Sequence, residues 1–151
     1  MFIITDQREK TDWDVCICSA YPDQTYTYGR ELLKEKVLVG TSRESWLSGR
    51  ETVSLEELKQ EDFILLPKGT VLRNLADIRF KEHHFVPRVV MECDSTQLAV
   101  RLVNSGVGIT LWPECSWGKT QDVNLVEIQE PGFSRSIFLL HQRFGEMSPM
   151  A

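Results

Sequence analysis

The residues best placed for chemistry in this chain lie at the predicted start of a helix. Asp94, Ser95 and Thr96 precede a segment whose apolar residues share one helical face: Leu98, Ala99, Leu102 and Val103. The first turn of a helix exposes free N–H groups and a partial positive charge, so it can receive the anionic or carbonyl end of a small ligand. Helix capping by Asp94 or Ser95 also accounts for these residues. As ligand contacts Ser95 and Thr96 fit better, because the charge of Asp94 would repel an anion.

A second candidate is the turn Pro67-Lys68-Gly69-Thr70, which follows the apolar run Phe63–Leu66. Open α/β sheets bind ligands where a strand ends and a helix begins, and a helix N-terminus favours anions. Lys68 would add positive charge and Thr70 a hydroxyl donor. The simpler alternative is a strand-to-helix turn with a threonine cap.

Catalytic and metal-binding chemistry have less support. The chain has no Gly-x-Ser-x-Gly, P-loop, His-Glu-x-x-His or Gly-x-Gly-x-x-Gly motif. Cys16 and Cys18 supply only two metal ligands, and the pair His83-His84 has no further ligand at a suitable spacing. We therefore predict a protein that is not an enzyme and that uses no metal or cofactor. A redox role of Cys93, and an enzyme that uses Cys93 or the histidine pair, stay open as alternatives.

The elements that position these residues alternate along the chain. Helices are predicted over residues 55–60, from the Thr70 cap to about His83 with Val71, Leu75 and Ile78 facing inward, and from Asp94 or Ser95 to Gly106. Strands are predicted over seven segments: 14–18, 32–40, 63–66, 88–92, 107–113, 125–128 and 136–141. This alternation predicts an α/β fold with a largely parallel sheet. Trp46, Trp112 and Trp117 are predicted mainly as core residues, with an aromatic cleft wall as the alternative.

Composition limits the classes of protein that are compatible with the chain. Its 151 residues suffice for one domain or two small lobes, and no apolar run approaches the ~20 residues needed to span a membrane. The N-terminal residues do not resemble a signal peptide, and the four cysteines are too few for a disulfide scaffold, so we expect a cytoplasmic protein. The net charge is −5 without a basic stripe, so these residues alone should not bind nucleic acid.

In their order and spacing, five segments between about residue 12 and residue 143 resemble the effector-binding region of LysR-type transcriptional regulators. They are DVCIC, LLKEKVLVG, VSLEELKQEDFILLPKGT, FVPRVVMECDSTQLAVRLVNSGVGITLWPE and RSIFLLHQR. The resemblance implies a periplasmic-binding-protein-like type 2 fold, with two lobes, two crossovers and an effector cleft. It also implies that the cleft is lined by Lys68, Gly69, Thr70, Ser95, Thr96 and, through their backbone, Val107, Gly108 and Ile109.

Two departures from that family shape the predicted domain organisation. No helix-turn-helix is present, and only Met1–Trp13 precedes the segment DVCIC, which is too short for the family's opening strand–helix–strand unit. We expect a truncated product with one complete lobe, residues 43–131, and a partial lobe from residues 1–42 and 132–151. Loss of strands leaves an apolar sheet edge, so we expect a homodimer or higher self-association.

The predicted function is that of a small-molecule effector-sensing domain of a LysR-type regulator. A carboxylate or another anion fits the two helix starts as effector, while DNA would be contacted only through an absent N-terminal domain. The alternative is a stand-alone solute-binding protein of the same fold. The lack of a recognisable signal peptide argues against that alternative.

Overall fold

A computed structural model describes residues 2–5, 15–19, 27–118 and 120–142. Its elements, in chain order, are β1 (Phe2–Thr5), β2 (Val15–Cys18), β3 (Thr27–Thr41), β4 (Thr52–Val53), a 3-10 helix (Glu56–Leu58), β5 (Asp62–Leu65), α1 (Val71–Glu82), β6 (Arg88–Glu92), α2 (Thr96–Asn104), β7 (Ile109–Pro113), β8 (Asn124–Ile128) and β9 (Ser134–Gln142). The chain divides into two compact units. The first consists of Met1–Lys34 with Arg135–Ala151, and the second of Glu35–Ser134.

In the described part of the first unit, β1, β2 and β9 pair side by side. β1 runs parallel to β2, and β2 runs antiparallel to β9. Cys16 and Cys18 alternate along β2 and are buried together with Phe138 and Leu140 of β9. Neither cysteine forms a disulfide with a described residue, and their burial places both in the core of the unit, as predicted.

The second unit is built on a mixed sheet. β5 lies between β6 and β7 and is parallel to both, whereas β3 is antiparallel to β7 and to β8. β4 pairs in parallel with β8. The predicted parallel arrangement is therefore confirmed for β5, β6 and β7, and the sheet as a whole is mixed.

Alternating side chains of these strands form two cores, one on each face of the sheet. Phe63 and Leu65 of β5 face the core beside α1, while Ile64 faces the core beside α2. The ring of Phe63 packs edge-on against Phe80 of α1, with 5.8 Å between centroids. The unit thus has three layers, with the sheet between α1 and α2, as expected for strands that are continuous apolar runs.

The buried face of α1 differs from the predicted one. Ile78, expected to face inward, is 54% exposed, whereas Leu72, Ala76 and Phe80 are buried. Arg73 is also buried. Because a cation occupies one position of the buried face, the spacing of the apolar residues alone does not show which face of the helix is buried. On α2, Ala99 and Val103 face inward as predicted, but Leu98 is 47% exposed.

Most element boundaries agree with the sequence to within two residues. β3 begins at Thr27 rather than at Leu32, and the short strands β1 and β4 have no counterpart among the predicted segments. The predicted capping box is present before the 3-10 helix: the Ser54 N–H donates to the Glu57 carboxylate at 2.9 Å, and the Glu57 N–H donates to the Ser54 hydroxyl at 3.3 Å. No helix in the described part of the chain has both the length and the apolar character needed to cross a membrane.

Candidate functional site

Two loops lie side by side at one edge of the second unit. β5 and β6 are parallel neighbours, and Leu65 at the end of β5 is paired with Glu92 at the end of β6. The Cys93 N–H donates to the Leu65 carbonyl at 2.8 Å, which extends this pairing into the second loop. Each loop leads directly into a helix, so the N-termini of α1 and α2 are presented at the same edge of the sheet.

The first loop is a tight turn closed by its own hydroxyl. Gly69 has a φ of +94°, a conformation that favours glycine. The Thr70 hydroxyl donates to the Pro67 carbonyl at 3.0 Å and accepts from the Arg73 N–H at 3.4 Å. The N–H groups of Val71 and Leu72 have no acceptor among the described residues. They are therefore available to a ligand.

The second loop repeats this arrangement. The Ser95 hydroxyl accepts from the Leu98 N–H at 3.3 Å, which confirms Ser95 as the cap of α2. The N–H groups of Thr96 and Gln97, and the Thr96 hydroxyl, have no partner in the part of the chain that the structure describes. The second helix start therefore adds another set of hydrogen-bond donors to the same edge.

A buried arginine fixes the two loops, and sequence reasoning missed it. Arg73 is 5% exposed. Its Nη1 donates to the Leu66 carbonyl at 2.9 Å and to the Glu92 carboxylate at 3.0 Å, and its Nε donates to Asp77 at 3.0 Å. The sequence feature that indicates this role is a charged residue three positions after a threonine cap, on a helix face that is otherwise apolar.

A second missed group is Glu35 on β3, which is 2% exposed. Its carboxylate accepts from the N–H groups of Cys115 and Ser116, both at 2.8 Å, and from the Ser116 hydroxyl at 2.7 Å. These bonds attach the turn after β7 to β3. Cys115 and Ser116 follow Glu35 in the chain by 80 and 81 positions, so no local sequence pattern predicts these contacts.

The chemistry of this edge is that of an anion receptor. It offers free backbone N–H groups, a free hydroxyl and the ammonium of Lys68, which is exposed and has no ion pair among the described residues. These are donors arranged at two helix N-termini, where the partial positive charge of a helix favours a carboxylate or another anion.

Comparison with known proteins assigns the family. The model of the LysR substrate binding domain matches residues 4–151. The chain belongs to this family. It is 30% identical over 153 residues to the transcriptional dual regulator GltC of Bacillus subtilis (strain 168), an alignment that covers 99% of this chain and 51% of that regulator. The LysR domain thus spans about half the length of this curated relative.

Solved structures show the same fold. The effector-binding domain of QuiR in complex with shikimate matches with a TM-score of 0.79 at 24% identity, over 91% of this chain and 66% of that one. The regulatory domain of Synechocystis PCC6803 CcmR in complex with 2-PG matches with a TM-score of 0.80 at 22% identity, over 92% and 68%. The LysR domain therefore has the periplasmic-binding-protein-like type 2 fold and is an effector-binding domain of LysR-type regulators. The stand-alone solute-binding alternative is not favoured.

The LysR domain brings together only part of the predicted site. Lys68, Gly69, Thr70, Ser95 and Thr96 lie on the two loops described above. Val107, Gly108 and Ile109 do not, because Ile109 is paired with Phe63 at the beginning of β5. Phe63 is near the start of β5 and Pro67 lies beyond its end, four residues or about 13 Å away along an extended chain, so these three residues lie at the opposite edge of the sheet. The direction of β7, which runs parallel to β5, is the physical reason why these three residues lie apart from the two loops.

Gly108 has a packing role at that opposite edge. A Cβ at this position would lie 2.3 Å from the Asp62 carbonyl oxygen, so only glycine allows β7 to begin this close to β5. The close-packing alternative for this glycine is therefore the one that the structure supports.

The remaining candidates lie within the core or at the surface. Trp112 is 1% exposed, and its indole N–H donates to the Gly118 carbonyl at 2.9 Å, which makes it a core residue. The thiol of Cys93 is buried and donates to the Ser95 carbonyl at 3.2 Å. His83 is the C-cap residue of α1 and contacts the Pro131 carbonyl at 3.2 Å. Within the described residues, no three His, Cys, Asp or Glu side chains come together as a metal-ion site.

Proposed function

We propose that the LysR domain binds a small carboxylate or related anion at the edge where β5 and β6 end. The observation that carries this proposal is the pair of capped helix starts, whose N–H groups at Val71, Leu72, Thr96 and Gln97 have no acceptor among the described residues. Lys68 supplies the complementary charge. The effector-binding domains of QuiR and BenM, in complex with shikimate and with benzoate, bind carboxylate-bearing molecules, which supports the same ligand class here.

In mechanism, the ligand acts through its difference in affinity for two conformations of the domain. A ligand shifts a conformational equilibrium only by as much as it binds one state better than the other. In the whole regulator, which acts in the cytoplasm, this shift would change DNA binding by a segment outside residues 1–151. The acidic balance of the chain, −5, supports placing DNA contacts elsewhere. The domain senses its ligand and does not transform it.

We further propose that a second copy of the chain covers the face at β6. LysR-type regulators are typically oligomeric. β6 is the edge strand of the sheet, and its side chains Val89, Val90 and Met91 are 36% to 46% exposed. Val86, just before this strand, is 87% exposed. An edge strand with apolar side chains has unpaired backbone groups and is the part of a sheet most prone to associate with another chain.

Light scattering across a concentration series tests this association. We expect a dimer or larger species, and we expect Val90→Lys to return it to monomer because a charge then interrupts the apolar face. A monomer at every concentration would contradict the proposal. So would a Val90→Lys variant with unchanged mass.

A thermal-shift screen of organic acids tests the binding proposal, with benzoate and shikimate as the first probes. A ligand at about 100 times its Kd adds about 2.7 kcal/mol to the stability of the folded state. Thr96→Val removes the free hydroxyl and Lys68→Gln removes the charge, so both should reduce the shift. Lys81→Gln, an exposed lysine at the other end of α1, should not. Equal shifts in all four proteins would contradict the proposed site.

A further inference from the structure

The structure assigns to this domain a second ligand site, which we propose takes a small organic cation with an ammonium or guanidinium group. A cavity of about 450 Å³ opens at the edge of the second unit where β7 begins. Its volume lies in the range of about 300–1,000 Å³ that is usual for small-molecule sites. This inference is independent of the proposed anion site.

The cavity lies at the opposite edge of the sheet from that site. Its walls come from Glu61 just before β5, from Val103–Gly106 at the end of α2, and from five residues at the end of β3 and just after it: Thr41, Ser42, Glu44, Ser45 and Trp46. Gly108 and Ile109, which the resemblance places in the effector cleft, line this cavity instead. None of Lys68, Thr70 and Thr96 contributes to it.

The charge of the lining favours a cation. Glu44 and Glu61 are the charged side chains that line the cavity, and no lysine or arginine does so within the described residues. α2 ends there, and the C-terminus of a helix carries a partial negative charge. Glu44 forms no ion pair with any described residue. Its carboxylate is therefore available to a ligand.

Trp46 adds an aromatic surface that already receives a cation. The guanidinium carbon of Arg50 lies 5.3 Å from the centroid of the Trp46 ring, within the distance of a cation–π interaction. The indole N–H donates to Glu61 at 2.6 Å, which holds the ring beside that carboxylate. The ring is half exposed, so it can contact a ligand as well as Arg50.

A buried hydroxyl provides an independent indication of a ligand. Thr41 lines the cavity and is 1% exposed, yet its hydroxyl has no hydrogen-bonding partner among the described residues. Buried polar groups in folded proteins are almost always hydrogen-bonded, to the protein or to a bound molecule. The Thr41 hydroxyl is thus an acceptor available to the N–H groups of an organic cation.

The occupant is an organic cation rather than a bare metal ion. A divalent metal needs several oxygen or nitrogen ligands, and within the described residues no group of three His, Cys, Asp or Glu side chains could supply them. An alkyl ammonium or guanidinium ion needs only the two carboxylates, the aromatic face and a few hydrogen-bond acceptors.

Isothermal titration calorimetry of the whole chain with agmatine tests the proposal. Agmatine carries a guanidinium at one end and an ammonium at the other, and 1,4-butanediol serves as the uncharged control. We expect saturable binding of agmatine alone. Exchanging both Glu44→Gln and Glu61→Gln should weaken it about a hundredfold, roughly tenfold for each of the two charged hydrogen bonds lost. Glutamine at position 61 keeps an oxygen for the Trp46 N–H, so the fold should persist.

Two controls and a second blocking variant make the result decisive. Glu51→Gln, at an exposed glutamate outside the cavity, should leave the affinity for agmatine unchanged. Lys68→Gln should also leave it unchanged, which separates this site from the anion site. Ser105→Tyr should block binding by filling the cavity from an exposed position, and it serves if the double variant does not fold. Absence of saturable binding to the native chain up to about 10 mM, or full affinity in either blocking variant, would overturn the proposal.

Discussion

Arg73 and Glu92 connect the starting turn of α1 to the end of β6. One guanidinium nitrogen, Nη1, donates both to the Glu92 carboxylate at 3.0 Å and to the Leu66 carbonyl at 2.9 Å. Because Arg73 is 5% exposed, these bonds are shielded from water, although Glu92 itself remains partly accessible. The two loops of the proposed anion site are therefore held by one buried side chain.

Replacing this arginine should destabilise the domain. In Arg73→Met the Leu66 carbonyl loses its donor and Glu92 loses its partner, so we expect the free energy of unfolding to fall by about 1–3 kcal/mol. Urea denaturation measures this loss. Arg101→Met, at an exposed position of α2, should change stability by less than about 0.5 kcal/mol. If Arg73→Met lowered the free energy of unfolding by less than about 0.5 kcal/mol, the buried hydrogen bonds of Arg73 would not stabilise the fold.

Two substitutions of Ser95 separate its capping role from its part in ligand binding. Ser95→Ala removes the acceptor of the Leu98 N–H and should lower the free energy of unfolding by about 1 kcal/mol. Ser95→Asp keeps an acceptor and favours the helix dipole, so its stability in urea should match the native value. Its added charge should weaken binding of benzoate or shikimate. Unchanged anion affinity in Ser95→Asp would place the ligand away from this helix start.

The two glycines before β7 should respond differently to alanine. In Gly108→Ala the new methyl group would overlap the Asp62 carbonyl oxygen, so β5 and β7 must move apart at a cost of about 1–3 kcal/mol. In Gly106→Ala nothing lies within 4 Å of the methyl group, and only the φ of +76° is unfavourable, which costs about 1 kcal/mol. Urea denaturation should therefore rank Gly108→Ala as the less stable protein. The reverse order would contradict the described approach of β7 to β5.

Glu57 should titrate below the ordinary range of a glutamate. Its pKa is lowered first by the hydrogen bond from the Ser54 backbone N–H at 2.9 Å and then by Arg50, whose guanidinium lies 2.8 Å from the carboxylate. The stabilisation from this depressed pKa is present above the ordinary value of 4.5 and is lost as the pH falls through the folded-state pKa. An NMR titration of the Glu57 carboxyl carbon should show the pKa rising in Arg50→Met. An unchanged pKa would exclude the contribution of Arg50.

The local features of the fold follow from the sequence because their causes are local. Thr70 and Ser95 are recognisable caps, and each lies before a helix that the structure confirms. The position of Ile109 depends instead on the direction of β7 relative to β5, which is decided by pairing across the sheet. The contacts of Arg73 and Glu35 are equally nonlocal, because their partners are distant in the chain. The two helix starts can therefore be recognised from local sequence patterns, whereas the position of Val107, Gly108 and Ile109 relative to them cannot, because it depends on strand pairing.

An NMR titration that maps where an organic acid binds tests the proposed anion site directly. The chain is labelled with ¹⁵N and titrated with the acid that gives the largest thermal shift, and amide shifts are followed to saturation. We expect the N–H groups of Val71, Leu72, Thr96 and Gln97 to shift together with one Kd, because these donors have no acceptor among the described residues. Saturable binding that leaves these four amides unmoved while those of residues 107–109 shift would contradict the proposed anion site.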